Sequence, residues 1–228
     1  FVIVRSHETG ERIPLTIADS DAERGTITLV MQEVGRGTEK LGAFEEGQSY
    51  IDVVGPLGKH REIPEGKTIV CVSGGLGLAP MYPQTKAYHA AGNKVISIVG
   101  ARSKSLLFWQ DKIEKVSTRV LYSTDDGSFG HHGYATQLLE QLVAEGEKID
   151  EVVAIGPVPH MRAVAECCKK HNLPVTVSLN PIMVDGTGMC GGCRVTVGGK
   201  VQYACVDGPE FDGAEVDFAE LMARQGTY

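Results

Sequence analysis

Near the C-terminus, Asp185, Cys190, Cys193 and Cys205 form the pattern D-x4-C-x2-C-x11-C. Clustered thiolates are soft ligands and suit iron–sulfur or zinc chemistry. Plant-type [2Fe–2S] sites use C-x4-C-x2-C with a distant fourth Cys. The pattern here keeps that spacing, with Asp185 in the first ligand position. Glycines at 186, 188, 191 and 192 let the backbone wrap tightly and aim its amides at sulfide. Gly198-Gly199 predicts a hairpin joining Arg194–Val197 to Lys200–Ala204, which returns Cys205 to the loop. Three Cys and an Asp also suit zinc. Asp185 also suits a turn outside the ligand set. A carboxylate is harder than a thiolate, so Asp ligation alters a cluster's reduction potential.

A second set of residues suits phosphate binding. Ser73-Gly74-Gly75-Leu76-Gly77-Leu78-Ala79-Pro80 follows an apolar run and opens a helical one. Gly74, Gly75 and Gly77 let the backbone approach a pyrophosphate, and Pro80 suits a helix start. Gly100-Ala101-Arg102, Thr124–Gly130 and Gly156-Pro157 end other apolar runs in the same way. Arg102 suits a ribose phosphate or a solvated surface. Asp125 and Asp126 suit a ribose or a plain turn. Nearer the N-terminus, Arg12-Ile13-Pro14-Leu15-Thr16 offers a guanidinium for a flavin pyrophosphate and a hydroxyl for a flavin ring. Gly35-Arg36-Gly37-Thr38 offers backbone amides to the same phosphates. Taken singly, these are also ordinary turns and a surface Arg.

The elements that must position these groups divide the chain into three. Residues 1–64 hold short runs such as Gly25–Met31 and Tyr50–Val54, broken by turn residues. No helical period persists there, and a small antiparallel barrel is predicted. Residues 65–178 alternate strand-sized and helix-sized segments. Strands are expected at Thr68–Ser73, Lys94–Val99, Arg119–Tyr122, Glu151–Ile155 and Pro174–Ser178. Helical segments are expected at Ala79–Ala91, Lys104–Lys115, Tyr134–Glu145 and His160–His171. This predicts a five-stranded parallel sheet covered on both faces, binding its ligand at the carboxyl ends of the strands. Residues 179–228 are rich in Gly and Cys and too few for a large core, so a metal would supply stability.

Composition narrows the function classes. The 228 residues carry 22 Lys+Arg against 29 Asp+Glu, a net charge of −7, which disfavours nucleic-acid binding. No apolar run approaches the roughly 20 residues of a membrane helix. No targeting segment is recognisable, and Phe1 opens inside a strand-like run; a cytoplasmic setting is expected. Of six cysteines, Cys71, Cys167 and Cys168 lie outside the cluster pattern and are expected to be structural. His131 and His132 are expected to be turn residues, and Trp109 to be packing.

Taken in order, R-x-P-x-T, G-x-G-T, G-G-x-G-x-A-P, D-D-G-S and the terminal cluster pattern resemble the ferredoxin–NADP reductase superfamily. The resemblance covers essentially the whole chain. It falls in the branch of dihydroorotate dehydrogenase electron-transfer subunits, whose clusters have four Cys. The departure at Asp185 is similar to the small, alpha subunits of NADH-dependent reduced ferredoxin:NADP oxidoreductases, also called sulfide dehydrogenase subunits. There, one Asp and three Cys hold the cluster.

The resemblance implies FAD in the barrel at Arg12, Pro14, Leu15, Thr16, Gly35, Gly37 and Thr38, with further barrel strands ahead of Phe1. It implies NAD(H) at Gly74, Gly75, Gly77 and Pro80, its nicotinamide meeting the flavin near Gly156 and Pro157. It implies a larger partner flavoprotein, similar to a glutamate synthase small subunit, with a second FAD and [4Fe–4S] clusters. That partner handles NADP(H) and ferredoxin, and the assembly performs electron bifurcation. The alternatives are a dihydroorotate dehydrogenase electron-transfer subunit and a zinc-stabilised nucleotide-binding module.

Overall fold

The computed structural model describes residues 1–226. Its centre is a sheet in the order Glu210–Asp212, Val175–Ser178, Glu151–Ile155, Thr68–Gly74, Lys94–Ala101, Arg119–Thr124, His131–His132. The five expected strands are all present and mutually parallel. Two short strands extend the sheet beyond them. His131–His132 pairs in parallel at one edge, so these histidines are strand rather than turn residues. Glu210–Asp212 pairs antiparallel at the other edge.

Alternation along the strands builds both faces. Val70, Val72, Ile96, Ile98, Val152 and Ala154 point to one side and pack with Leu139, Leu142, Met161 and Val164. These last four come from the helices Ala135–Ala144 and Val158–Lys170. Ile69, Cys71, Val95, Val153 and Ile155 point to the other side and meet Met81 and Tyr88 of the helix Leu78–Ala90. Side chains two apart share a face of a strand, and near-continuous apolar runs fit a sheet buried on both faces.

The segment Lys104–Lys115 is not one helix. A 3-10 turn covers Lys104–Leu106 and an α-helix Gln110–Lys115. Between them Trp109 takes φ 53°, a left-handed conformation costly for a bulky residue. Its ring packs on Tyr82 and Phe108, each at 5.6 Å, which accounts for holding it there.

The N-terminal part is antiparallel. Ile13–Leu15, Val2–Arg5 and Asp52–Val54 form one small sheet, and Ile17–Asp21 pairs with Thr26–Leu29. It also contains a helix, Arg36–Gly42, where only strands and turns were expected. Two glycines in seven residues hide that helix from propensity. Leu41, buried against Val2 and Val4, secures it.

The described residues of the C-terminal part have no core of their own. Cys193, Val195, Val197, Cys205, Phe211, Phe218 and Leu221 join the large core on one face of the sheet. Arg194–Val197 and Lys200–Tyr203 form the expected hairpin, with Gly198 and Gly199 at φ 57° and 72°. The final helix, Phe218–Gln225, is capped by the Asp217 carboxylate, which accepts from the Glu220 amide. Together these elements give a β plus α/β architecture.

Candidate functional site

The four expected cluster residues lie on one loop and the hairpin that follows it. Cys193 and Cys205 are buried, with their sulfurs 3.2 Å apart. Cys190 is exposed. Asp185 and Cys190 form the other end: the Asp185 carboxylate accepts from the amides of Thr187 (2.9 Å) and Cys190 (2.8 Å). The Thr187 amide, then that of Cys190, hold the Asp185 pKa below its ordinary value. Burial and the neighbouring Cys193 push the Cys205 thiol up to about 12.

Backbone amides also face sulfur. Gly192 N lies 3.4 Å from Cys190 Sγ, and Cys205 N lies 3.5 Å from Cys193 Sγ. Gly186, Gly188 and Gly191 all have positive φ, which the tight wrap requires. One close thiol pair, a carboxylate bonded by the Cys190 amide and amides aimed at sulfur suit the donor set of a [2Fe–2S] group.

Two arginines hold this loop, and the sequence did not single out the first of them. Arg224, on the final helix, donates to the carbonyls of Arg194 and Gly192, each at 3.1 Å. Arg12 donates from Nε to the Val184 carbonyl at 2.9 Å and from an Nη to the Asp185 carbonyl at 3.4 Å. Arg12 was expected on a flavin phosphate; the structure turns it toward the cluster loop. Gly186 lies against Ile3, where an added Cβ would come within 2.6 Å of Ile3 Cδ1. The loop therefore abuts the N-terminal part.

Within that part, Pro14 and Leu15 lie on an edge strand, and Thr16 is exposed just beyond it. Gly37 packs beside this segment, with an added Cβ 2.9 Å from Ile13 Cδ1. Gly35 is the N-cap of the unexpected helix. The Thr38 hydroxyl closes the turn, accepting from the amides of Val34 and Gly35 and donating to the Gly35 carbonyl. The two segments expected to face FAD are thus neighbours.

The glycine turns meet where the strand order reverses, between Thr68–Gly74 and Glu151–Ile155. This is where open α/β sheets bind ligands. A Cβ at Gly77 would overlap the Ile155 carbonyl, and one at Gly156 would lie 3.0 Å from the Gly74 carbonyl oxygen. Gly75 has φ 55°. Pro80 falls in the first turn of the helix Leu78–Ala90, and Pro157 caps the helix Val158–Lys170.

His160 was missed in the sequence. Its ring sits under both turns, 2.8 Å from the Cβ position of Gly74 and 2.9 Å from that of Gly156. Burial lowers its pKa, and its Nε2 is buried with no hydrogen-bond partner. The only signal was its place three residues after Pro157. Farther along the edge, Arg102 is exposed and its carbonyl accepts from the Asp126 amide at 3.2 Å. Asp126 accepts from the amide and hydroxyl of Ser128, which lowers its pKa.

Among the described residues no helix is long and apolar enough to cross a membrane.

Comparison with known proteins agrees with this geometry. The iron-sulfur cluster binding domain of dihydroorotate dehydrogenase B matches residues 180–217, which contain all four expected ligands. A dihydroorotate dehydrogenase B (NAD(+)) electron transfer subunit homolog of Thermotoga maritima is 47% identical, over 100% of this chain and 80% of that protein. A probable subunit of the same kind from Methanocaldococcus jannaschii is 38% identical, over 84% of this chain and 72% of that protein. A solved structure reported for flavin-based electron bifurcation by an NADH-dependent reduced ferredoxin-NADP oxidoreductase superposes with TM-score 0.94. It is 46% identical, over 100% of this chain and 82% of that one. The cytochrome b5 reductase domain of Ulva prolifera nitrate reductase, at 19% identity and TM-score 0.62, shares the fold alone. The chain thus belongs to the family of dihydroorotate dehydrogenase B electron-transfer subunits and their homologues, on the ferredoxin–NADP reductase fold.

Proposed function

We propose that the chain passes electrons between NAD(H), FAD and a [2Fe–2S] cluster to a larger flavoprotein, as the small subunit of an electron-bifurcating NADH-dependent ferredoxin:NADP oxidoreductase. An oxidoreductase role follows from the family, as does the set of FAD, [2Fe–2S] and NAD(H). The observation that supports the finer reading is Asp185 at the first position of the cluster pattern; the Arg12 contact with Val184 and Asp185 supports a flavin close to that loop.

Asp185, Cys190, Cys193 and Cys205 are the proposed iron ligands. Arg12, Pro14, Leu15, Thr16, Gly35, Gly37 and Thr38 are proposed to hold FAD. Gly74, Gly75, Gly77, Pro80, Arg102, Asp126, Gly156 and Pro157 are proposed to hold NAD(H). The cofactors supply hydride and single-electron chemistry; the side chains bind and orient them. No side-chain acid or base is required. The proposed partner carries a second FAD and [4Fe–4S] clusters. Its docking face is the rim around Cys190, where Ile182, Val184, Met189 and Val206 are exposed.

The names of the relatives favour a second reading, an electron-transfer subunit serving a dihydroorotate-oxidising partner. Asp185 separates the two. Purified protein is expected to show flavin absorbance, NADH-dependent bleaching, and about two iron and two acid-labile sulfide per chain. EPR of the reduced protein should differ between wild type and Asp185→Cys; identical spectra remove Asp185 from the ligand set. Co-purification with dihydroorotate-oxidising activity would select the second reading.

A further inference from the structure

On the face of the sheet covered by two helices, away from the redox loops, Glu140, Cys167 and His171 converge. Their ligand atoms all lie within 4.8 Å of one another. Glu140 lies on the helix Ala135–Ala144. Cys167 lies near the end of Val158–Lys170, and His171 is that helix's C-cap. The four-residue spacing puts the thiol and the imidazole on one side of the helix. They sit at the opposite end of the helix from Gly156.

The polar groups there are poorly served by one another. His171 Nε2 is buried without a hydrogen-bond partner, 3.8 Å from Glu140 Oε1. Cys167 is buried, and its sulfur reaches only the Thr136 carbonyl, at 4.0 Å. Lys170 bonds Glu140 Oε1 at 2.8 Å, which accounts for the carboxylate but leaves the imidazole and thiol unexplained. A buried imidazole nitrogen without a partner is unfavourable, and a ligand would satisfy it.

We infer that these three side chains form a site for a zinc-like divalent cation, separate from the iron–sulfur loop. Thiolate, imidazole and carboxylate are the donor set of borderline cations such as zinc. A thiolate and a carboxylate balance a dication, and neutral His171 completes three protein ligands, leaving a fourth position for water. Binding displaces the Cys167 thiol proton to solvent. Lys170 gives up its bond to Glu140, and its ammonium turns outward to solvent. Occupied, the site clamps the two helices that cover this face.

The test uses the full chain with flavin and cluster in place, dialysed against chelator and titrated with zinc chloride. One zinc per chain is expected. Its X-ray absorption spectrum should show a single sulfur at about 2.3 Å with nitrogen and oxygen neighbours. Cys167→Ser and His171→Ala should each weaken zinc by more than about tenfold, since loss of even an outer partner costs roughly 10–100-fold. Iron content and flavin absorbance should not change. The surface variant Glu140→Gln should weaken zinc too, and serves if a buried variant fails to fold. No uptake, two or more sulfurs around zinc, or unchanged affinity in the variants overturns the site.

Discussion

Arg12 donates from Nε to the carbonyl of Val184, 172 residues later in the chain, at 2.9 Å. A guanidinium just ahead of the strand Ile13–Leu15 thus fixes the residue beside Asp185, tying the first part of the chain to the last. Arg12→Ala removes charged hydrogen bonds of about 1.5–3 kcal/mol. Loss of these bonds is expected to shift the cluster EPR spectrum, and, with Arg12 as a proposed FAD ligand, to weaken FAD binding by roughly tenfold. Arg12→Lys should restore little, because it keeps the charge but loses the fork. Unchanged flavin content and EPR would detach Arg12 from both sites.

Gly77 tests the nucleotide edge. A Cβ there would collide with the Ile155 carbonyl and lie 2.8 Å from Gly156 Cα. These are backbone atoms and cannot swing away, so Gly77→Ala must push the two turns apart. Overpacking of this kind costs about 1–3 kcal/mol, or roughly 2–10 °C in Tm for a chain of this size. NADH-dependent flavin reduction should fall more steeply than stability. An active, equally stable variant would separate these turns from nicotinamide binding.

Asp126 tests nucleotide choice. Its carboxylate, held ionised by Ser128, is exposed on the edge beside Arg102. A negative charge there opposes a 2′-phosphate. Asp126→Ser should raise kcat/KM for NADPH relative to NADH by about tenfold. Arg102→Ala in that background should reverse the gain. A ratio that does not move in either variant places the ribose elsewhere.

Asp19 gives a pH dependence. Burial alone raises its pKa, but hydrogen bonds from Lys112 (3.0 Å) and Lys86 (3.1 Å) outweigh this and lower it below 3.8. A depressed carboxylate contributes stability above its unfolded pKa and loses it as pH falls through the folded value. Both lysines are largely solvated, so the pairs contribute only about 0.5–1 kcal/mol. Asp19→Asn should lower Tm by roughly 1–4 °C near pH 7. The gap should close as pH falls below the ordinary carboxylate range and through the lowered folded pKa of Asp19; a gap that widens in acid contradicts the assignment.

What was legible in the sequence was local. The strand Thr68–Gly74 reads as an apolar run because both its faces are buried, and the Gly198-Gly199 turn reads as a hairpin because only positive φ closes it. The spacing of the proposed ligands from Asp185 to Cys205 was visible because near neighbours in the chain share one loop and the hairpin after it. The helix Arg36–Gly42 was not visible, since Leu41 is stabilised by Val2 and Val4 rather than by propensity. The break at Trp109 was not visible either, because contacts with Tyr82 and Phe108 impose it.

By itself the sequence determined the chemistry on offer: soft ligands in cluster spacing, glycine turns after strands, and an acidic composition. Tertiary structure alone decided which of these groups share a wall. It set Arg12 on the Asp185 loop, added Glu210–Asp212 to the sheet, slid His160 beneath Gly74 and Gly156, and gathered Glu140 with Cys167 and His171. The physical reason is reach. Turn chemistry and strand alternation act between near neighbours in the chain. These contacts join distant segments, and they form only where the burial of a shared core has already offset the entropy of closing the loops between them.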